Sequence, residues 1–447
     1  MIGYVRKKIY KLGYVLYSLY PGLASSIIEM MPVTIQLRLR NAAKHGRQSL
    51  IASRLPVFSS LGRNSVSAMH TDVVKNEQGV TLVGYVAGDF GVAENLRAVA
   101  GSLQDVHYAF DIYEIDAGNI HSKTNNCFNN MVTDFSLKSI QLYCVNADLL
   151  LDAQWNLGVD KVANTYRVGY WFWELENFPS DWMHAFDLVD EVWAPSKFIY
   201  ERLSKVTTKP LIYIPVAVGF QIQGKYERSF FNLPKDKFLF LSSFDFHSFS
   251  ARKNSKAAIE AFKQAFPLNN TNVGLIVKTI NGEKHPEKYE ELLDLIKGDA
   301  RMSILDKVLS RDEMYGLINV CDCYVSLHRS EGFGLGMAEA MLLAKPVIVT
   351  AYSGNMDFTN DETSCLVDYD LVAVQPGDYP CWQDQQWAEP KVNQAAEYMV
   401  KVYSDSIFRE NMASKAQSLI KSQHAYHVVG KALETRLGEI SALTRLS

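Results

Sequence analysis

Long apolar runs are missing from this chain. No stretch of about 20 apolar residues occurs in it, so there is no transmembrane-helix pattern. An uncharged segment near the start, Leu12 to Ile28, is broken by Pro21, Gly22 and several Ser and Tyr. Its tyrosines and the want of a clean small-residue cleavage site argue against a signal peptide. Cysteine is sparse: Cys127, Cys144, Cys321, Cys323, Cys365 and Cys381 are all there is. The Cys321-x-Cys323 spacing is too tight for a zinc knuckle and no second pair follows. Reduced, mostly buried thiols of a cytosolic protein are expected. No Gly-x-Gly-x-x-Gly opens a strand-to-helix turn, which weakens a nicotinamide reading. A net charge of −4 argues against a dedicated nucleic-acid binder.

What is present is ordinary in amount and uneven in placement. At 447 residues, with 48% hydrophobic and 21% charged content, two globular domains are expected. Residues 1–50 hold eight basic side chains against Glu29 alone, a balance of +7 that leaves −11 for the rest. Residues 3–19 interleave Lys, Arg and Tyr with aliphatics, the pattern of an interfacial amphipathic helix. Contact with a membrane surface is one expectation for it, packing on the protein the other. Residues 41–79 are polar and read as a linker.

From Thr81 onward strands alternate with helices. Thr81–Ala87 reads as a buried strand, Gly88-Asp89-Phe90-Gly91 as a loop, and 92–100 as a helix with Val92, Leu96 and Val99 on one face. Strand patterns recur at 139–145, 188–193 and 211–216. Between them lies an aromatic segment with Trp171, Trp173, Glu174, Glu176 and Trp182, a candidate sugar platform. A second alternating run covers 238–350. It holds Arg252-Lys253-Asn254 in a loop after its first strand, and Lys278 at the end of its second. Late in this run comes His328-Arg329-Ser330-Glu331-Gly332-Phe333-Gly334-Leu335-Gly336-Met337-Ala338-Glu339. It follows a short strand, 323–327, and opens a helix over 335–344. A helix N-terminus with free N–H groups suits a phosphate. Two such runs predict an α/β protein of two doubly wound, Rossmann-like domains facing a cleft, the ligand lying at strand C-termini.

The Glu331-Gly332-Phe333-Gly334 … Glu339 stretch, with Lys345-Pro346-Val347-Ile348 and Gly354-Asn355 after it, resembles the E-x7-E signature of retaining, nucleotide-sugar-dependent glycosyltransferases of family 4, of the bacterial surface-polysaccharide type. The resemblance covers about 81–440 and implies the GT-B fold with an N-terminal helical extension. Its domains would be 1–78 (basic extension and linker), 79–217 (acceptor side), 218–415 (nucleotide-sugar donor side) and 416–447 (helices crossing back to the N-terminal domain), with 216–220 as a hinge. It implies transfer of a sugar to a glycan or lipid-linked glycan by front-face displacement, with no metal, no cofactor and no nucleic-acid partner. There is no Asp-x-Asp in a plausible donor loop.

By carry-over, Glu331 contacts the transferred sugar and Glu339 the ribose, while Lys253 with Arg252 stabilises the departing diphosphate. Gly88, Gly91, Gly332, Phe333, Gly334, Leu335 and Lys278 complete the donor site. Glu174, Trp171 and Trp173 are the acceptor-side candidates. The sequence departs from the family pattern after Ser243, where Phe244-Asp245 stands in place of Gly-Arg. A cytoplasmic enzyme, peripheral on the inner face of the membrane, is expected. A sugar-nucleotide epimerase, a phosphorylase and a non-catalytic sugar-nucleotide-binding module are the alternatives.

Overall fold

The computed structural model describes residues 47–48, 50–58, 79–115, 125, 127–133 and 138–446. The expectations for residues 3–19 and for most of the 41–79 linker fall outside these. Two parallel six-stranded sheets organise the chain. The first holds β1 (Val80–Gly84), β2 (Phe110–Glu114), β3 (Ile140–Tyr143), β4 (Tyr166–Tyr170), β5 (Glu191–Ala194) and β6 (Leu211–Tyr213), in the order β2-β1-β3-β4-β5-β6. The second holds β7 (Phe238–Asp245), β8 (Val273–Ile280), β9 (Met302–Asp306), β10 (Cys323–Ser326), β11 (Val347–Thr350) and β12 (Cys365–Val367), in the order β12-β11-β10-β7-β8-β9. Helices cover both faces, so the strands bury both sides and read as continuous apolar runs. Val80–Gly84 is buried throughout, as is Val273–Thr279.

In each sheet the first strand in the chain is flanked by its successor on one side and by a later strand on the other. The strand order therefore reverses between β1 and β3, and between β7 and β10. Such reversal points open crevices at the carboxyl ends of the strands. The loops leaving β1, β7 and β10 stand there. They lead to α1 (Gly91–Asp105), to a short turn at 250–253 before α4 (Ser255–Ala265), and to α7 (Leu335–Leu342). The other longer helices are α2 (Leu150–Leu157), α3 (Lys197–Ser204), α5 (Pro286–Ile296), α6 (Arg311–Val320), α8 (Val392–Ser404), α9 (Ser406–Gln423) and α10 (Tyr426–Leu446).

One hydrophobic cluster runs through both sheets. It takes Leu96 and Val99 from α1, Val216 to Val218 from the connecting segment, Met337 and Met341 from α7, and Leu433 and Leu437 from α10. Helix α10 lies against α1 and is pinned to the first sheet by charge. Arg436 donates through Nε to Glu191 Oε1 at 2.9 Å, and Glu191 is fully buried on β5. Tyr166 Oη (3.1 Å) and Trp193 Nε1 (2.5 Å) also donate to Glu191. The helical segment at 50–58 docks on the outside of the same sheet. There Phe58 is buried, Arg54 pairs with Asp152 at 2.9 Å, and its guanidinium lies 4.3 Å over Trp155.

An antiparallel hairpin was not expected from the sequence. Strands β13 (Tyr369–Ala373) and β14 (Gln386–Pro390) carry a long tip, 374–385, that reaches the first domain. Asn177 and Gln385 bind each other across that gap. The Asn177 N–H donates to Gln385 Oε1 at 2.9 Å, and Gln385 Nε2 donates to the Asn177 carbonyl at 2.7 Å. Asn177 Nδ2 adds a bond to the Asp384 carbonyl at 3.1 Å.

Candidate active site

The loop from β10 into α7 is built by backbone constraints. Gly334 sits at φ +104°, a conformation that costs a side chain dear, and from there the chain turns into the helix. No side chain caps that helix, which leaves its first amides without a side-chain partner. Gly354 is packed so closely that a Cβ would fall 2.1 Å from the Gly332 carbonyl oxygen. Its N–H donates to the Glu331 carbonyl at 2.9 Å, and Ser353 Oγ accepts from the Glu331 N–H at 2.8 Å. The loop after β11 thus fixes the first glutamate of the motif from below.

Glu331 meets both basic residues of the 250–253 turn. Lys253 Nζ lies 2.5 Å from Oε1, and Arg252 Nη1 lies 3.1 Å from Oε2. Arg252 also donates to the Ser330 carbonyl at 2.8 Å and is itself buried, with Nε lacking a partner among the described residues. Burial pushes the Glu331 carboxyl up, but Lys253 and then Arg252 outweigh it and hold it at about 2. Arg329 braces the same turn. It donates to the Ala251 carbonyl at 2.9 Å and pairs with Glu389 of β14 at 2.6 Å. Nothing in the sequence marked Arg329 beyond its place in the motif.

Glu339 lies in the second turn of α7, 3% exposed. Its partner is Arg311 of α6, which also reaches Glu94 of α1 at 3.1 Å. Burial drives the Glu339 carboxyl up to about 7 against the pull of Arg311, and the Glu94 carboxylate adds to the rise. Glu331 and Glu339 therefore stand in opposite electrostatic settings. The sequence offered no sign of Arg311 or Glu94.

On the facing domain, the loop after β1 is closed by Arg97. Its Nη1 donates to the Val86 carbonyl at 2.5 Å and to the Gly88 carbonyl at 2.8 Å. A Cβ on Gly91 would meet nothing within 4 Å, so the start of α1 is open in front. Glu174 follows β4 and approaches the motif directly. Its backbone carbonyl accepts from Ser330 Oγ, and its carboxylate accepts from Tyr379 Oη at 2.6 Å. Tyr379 comes from the hairpin tip and stands 5.8 Å from the Arg252 guanidinium. The structure thus brings together Glu174, Arg252, Lys253 and Glu331, with Tyr379 as a member that the sequence did not reveal.

Trp171, Trp173, Phe333 and Lys278, all expected in the site, have buried side chains. Trp171 and Trp173 are 1% and 3% exposed and belong to the core of the first domain. Trp171 packs on Phe178 and Phe186, and Trp173 on Trp182, with its Nε1 donating to the Asn177 carbonyl at 2.9 Å. Burying so large an aromatic area outweighs presenting it to solvent, and neither ring offers a sugar a face. Phe333 is also a core residue. Its ring wedges against Phe358 and His424, leaving only its backbone to face a ligand. Lys278 lies in a buried strand, two residues before its end, its Nζ donating to the Thr279 carbonyl at 2.7 Å. Burial lowers it to about 8, with Asp306 and Asp245 pulling the other way. Among the described residues no group of three His, Cys, Asp or Glu could hold a metal ion.

Residues 226–375, which span β7 to β13 and carry all of this charge except Glu94, Arg97, Glu174 and Glu389, match the family described as Glycosyl transferases group 1. That segment is a glycosyltransferase domain. No curated protein matches the transferase in sequence. Solved structures match it in fold. HepE of Anabaena, in complex with UDP and glucose, aligns with a TM-score of 0.60 at 14% identity, over 81% of this chain and 100% of that one. Sucrose-phosphate synthase of Thermosynechococcus elongatus gives 0.58 at 13% identity, over 82% and 100%. A glycosyltransferase of Rickettsia africae gives 0.57 at 14%, over 81% and 99%. At such identities the likeness is one of fold, and the two facing Rossmann-like domains of the transferase are the GT-B arrangement.

Proposed function

We propose that the transferase moves a sugar from a nucleotide-sugar donor to a glycan or lipid-linked glycan acceptor, with retention of configuration and without a metal ion. The observation that carries this reading is the meeting of Lys253 and Arg252 with Glu331 at the uncapped start of α7. Positive charge and aligned N–H groups placed where a diphosphate departs stabilise the charge that develops there. A buried carboxylate that stays ionised is a strong acceptor for sugar hydroxyls. In this reading Glu331 holds the transferred sugar, Glu339 the ribose, and the Gly88–Gly91 and Gly332–Leu335 backbones the phosphates. The UDP and glucose bound to the Anabaena neighbour are in keeping with it.

Glu174 receives the acceptor from the opposite domain. The two carboxylates beside the Lys253 turn are already engaged, Glu331 by two cations and Glu174 by Tyr379. That favours front-face displacement over a covalent double displacement. The bond from the anomeric carbon to the diphosphate breaks as the bond to the acceptor oxygen forms on the same face, and the leaving phosphate takes the acceptor proton. The basic, tyrosine-rich residues 3–19 favour an acceptor at a membrane surface.

The test is Lys253→Ala. Arg252 remains on Glu331, so the fold is expected to stay intact. Nucleotide release from the nucleotide sugar that most raises the melting temperature is expected to fall by roughly 10²-fold or more. Turnover within a few fold of the parent would remove Lys253 from the mechanism.

A further inference from the structure

Arg311 stands where three parts of the molecule meet. It opens α6, directly after Ser310, whose side chain and that of Glu313 cap the helix reciprocally. Its guanidinium pairs with Glu339 on α7 and with Glu94 on α1, donates to Tyr315 Oη at 3.0 Å, and lies 4.7 Å from the Tyr315 ring. Tyr315 in turn stacks on Phe220, the rings parallel at 3.5 Å, in the segment joining the two sheets. Glu94 is gripped from its other side by Arg97 at 2.5 Å, the residue that closes the Gly88 loop. One guanidinium thus links the connecting segment, the glycine loop of the first domain and the second glutamate of the motif.

We propose that Arg311 is a positioning residue for nucleotide binding, keeping Glu339 an ionised hydroxyl acceptor and tying it across the cleft to Glu94. The proposal rests on the reading of Glu339 as the ribose ligand. A buried carboxylate flanked by a second carboxylate favours its neutral form, and a neutral carboxyl accepts a hydroxyl less strongly than an ionised one. The groups facing Glu339 are Arg311 and Tyr315 from α6, Glu94 from α1, Tyr324 from β10 and Tyr426 from α10. Arg311 is the only cation among them. A bidentate guanidinium can serve two carboxylates at once, which a lysine ammonium does less well.

The experiment measures binding of a nucleoside diphosphate by calorimetry from about pH 6 to about pH 9, around the ordinary histidine range. The probe is whichever of UDP, GDP, ADP and dTDP most raises the melting temperature of the parent protein. Parent affinity is expected to rise with pH and level off. Arg311→Met is expected to bind about tenfold more weakly near neutrality and to approach the parent at the alkaline end, because its midpoint is displaced upward. Arg311→Lys is expected to restore most of the midpoint. Arg311→Gln, which keeps hydrogen bonding without charge, carries the same expectation as the Met variant should that one not fold. A loss of affinity equal at every pH, or no loss, overturns the positioning role. Parent-like binding by Glu339→Gln, or no binding of any probe to the parent, instead overturns the ribose reading on which it stands.

Discussion

A single carboxylate shows how the site sets its own chemistry. Glu331 is buried, yet it is held near a pKa of about 2 by Lys253 and Arg252. Its folded value lies below the ordinary 4.5, so the stability it contributes is complete above about pH 4.5 and is lost as pH falls through about 2. Glu331→Gln should flatten the acid limb of the stability profile in that window by on the order of a few kcal/mol. Urea unfolding at several acidic pH values reads this out, and an acid limb as steep as the parent's would contradict the pairing. The two glutamates were legible in the sequence because their spacing sits inside a strand–loop–helix pattern. Arg311, Glu94 and Tyr379 were not. Each is a common residue type, distant along the chain, and acquires its role only from which helix or loop packs beside the cleft.

At the scale of elements, the hairpin tip decides the shape of the cleft. Its bonds to Asn177 bridge the two domains beside the Tyr379–Glu174 contact. Gln385→Ala removes two of them, at roughly 1 kcal/mol each. The melting temperature should drop by a few degrees, and Trp173 and Trp182 fluorescence should shift to the red as the aromatic layer loosens. Unchanged emission would show that the tip does not hold that layer. Parallel strands such as β7, β8 and β11 were readable because burial on both faces demands unbroken apolar runs. β2, with the sequence Phe-Asp-Ile-Tyr-Glu, lies at the sheet edge and passed unnoticed because Asp111 and Glu114 mask its apolar side. The hairpin was missed for a different reason. Its tip holds Pro376 and Gly377 and takes left-handed backbone at Cys381 and Asp384, and contacts from the facing domain fix it.

At the scale of the whole molecule, a buried charge pair joins its late and early parts. Arg436 faces Glu191, which no water reaches. Arg436→Met leaves that carboxylate with only Tyr166 and Trp193, and breaking a buried pair on one side typically costs ~3–5 kcal/mol. An unfolding free energy lowered by less than a third of that in chemical denaturation would mean that the helix is held by its apolar face alone.

The connecting chain runs out past Val218 and returns past His424, and these two residues touch, the Val218 N–H donating to the His424 carbonyl at 2.7 Å. The segment at 50–58 and α10 both rest on the first sheet. The lobe between, which carries Glu331 and Glu339, is in effect a pendant inserted into the other. Cargo joined to either flank, whether a fused protein or a surface anchor, therefore rides on the lobe that bears Glu174. An anchor on both flanks would therefore hold one lobe and leave the other attached through its connecting segments and cleft contacts.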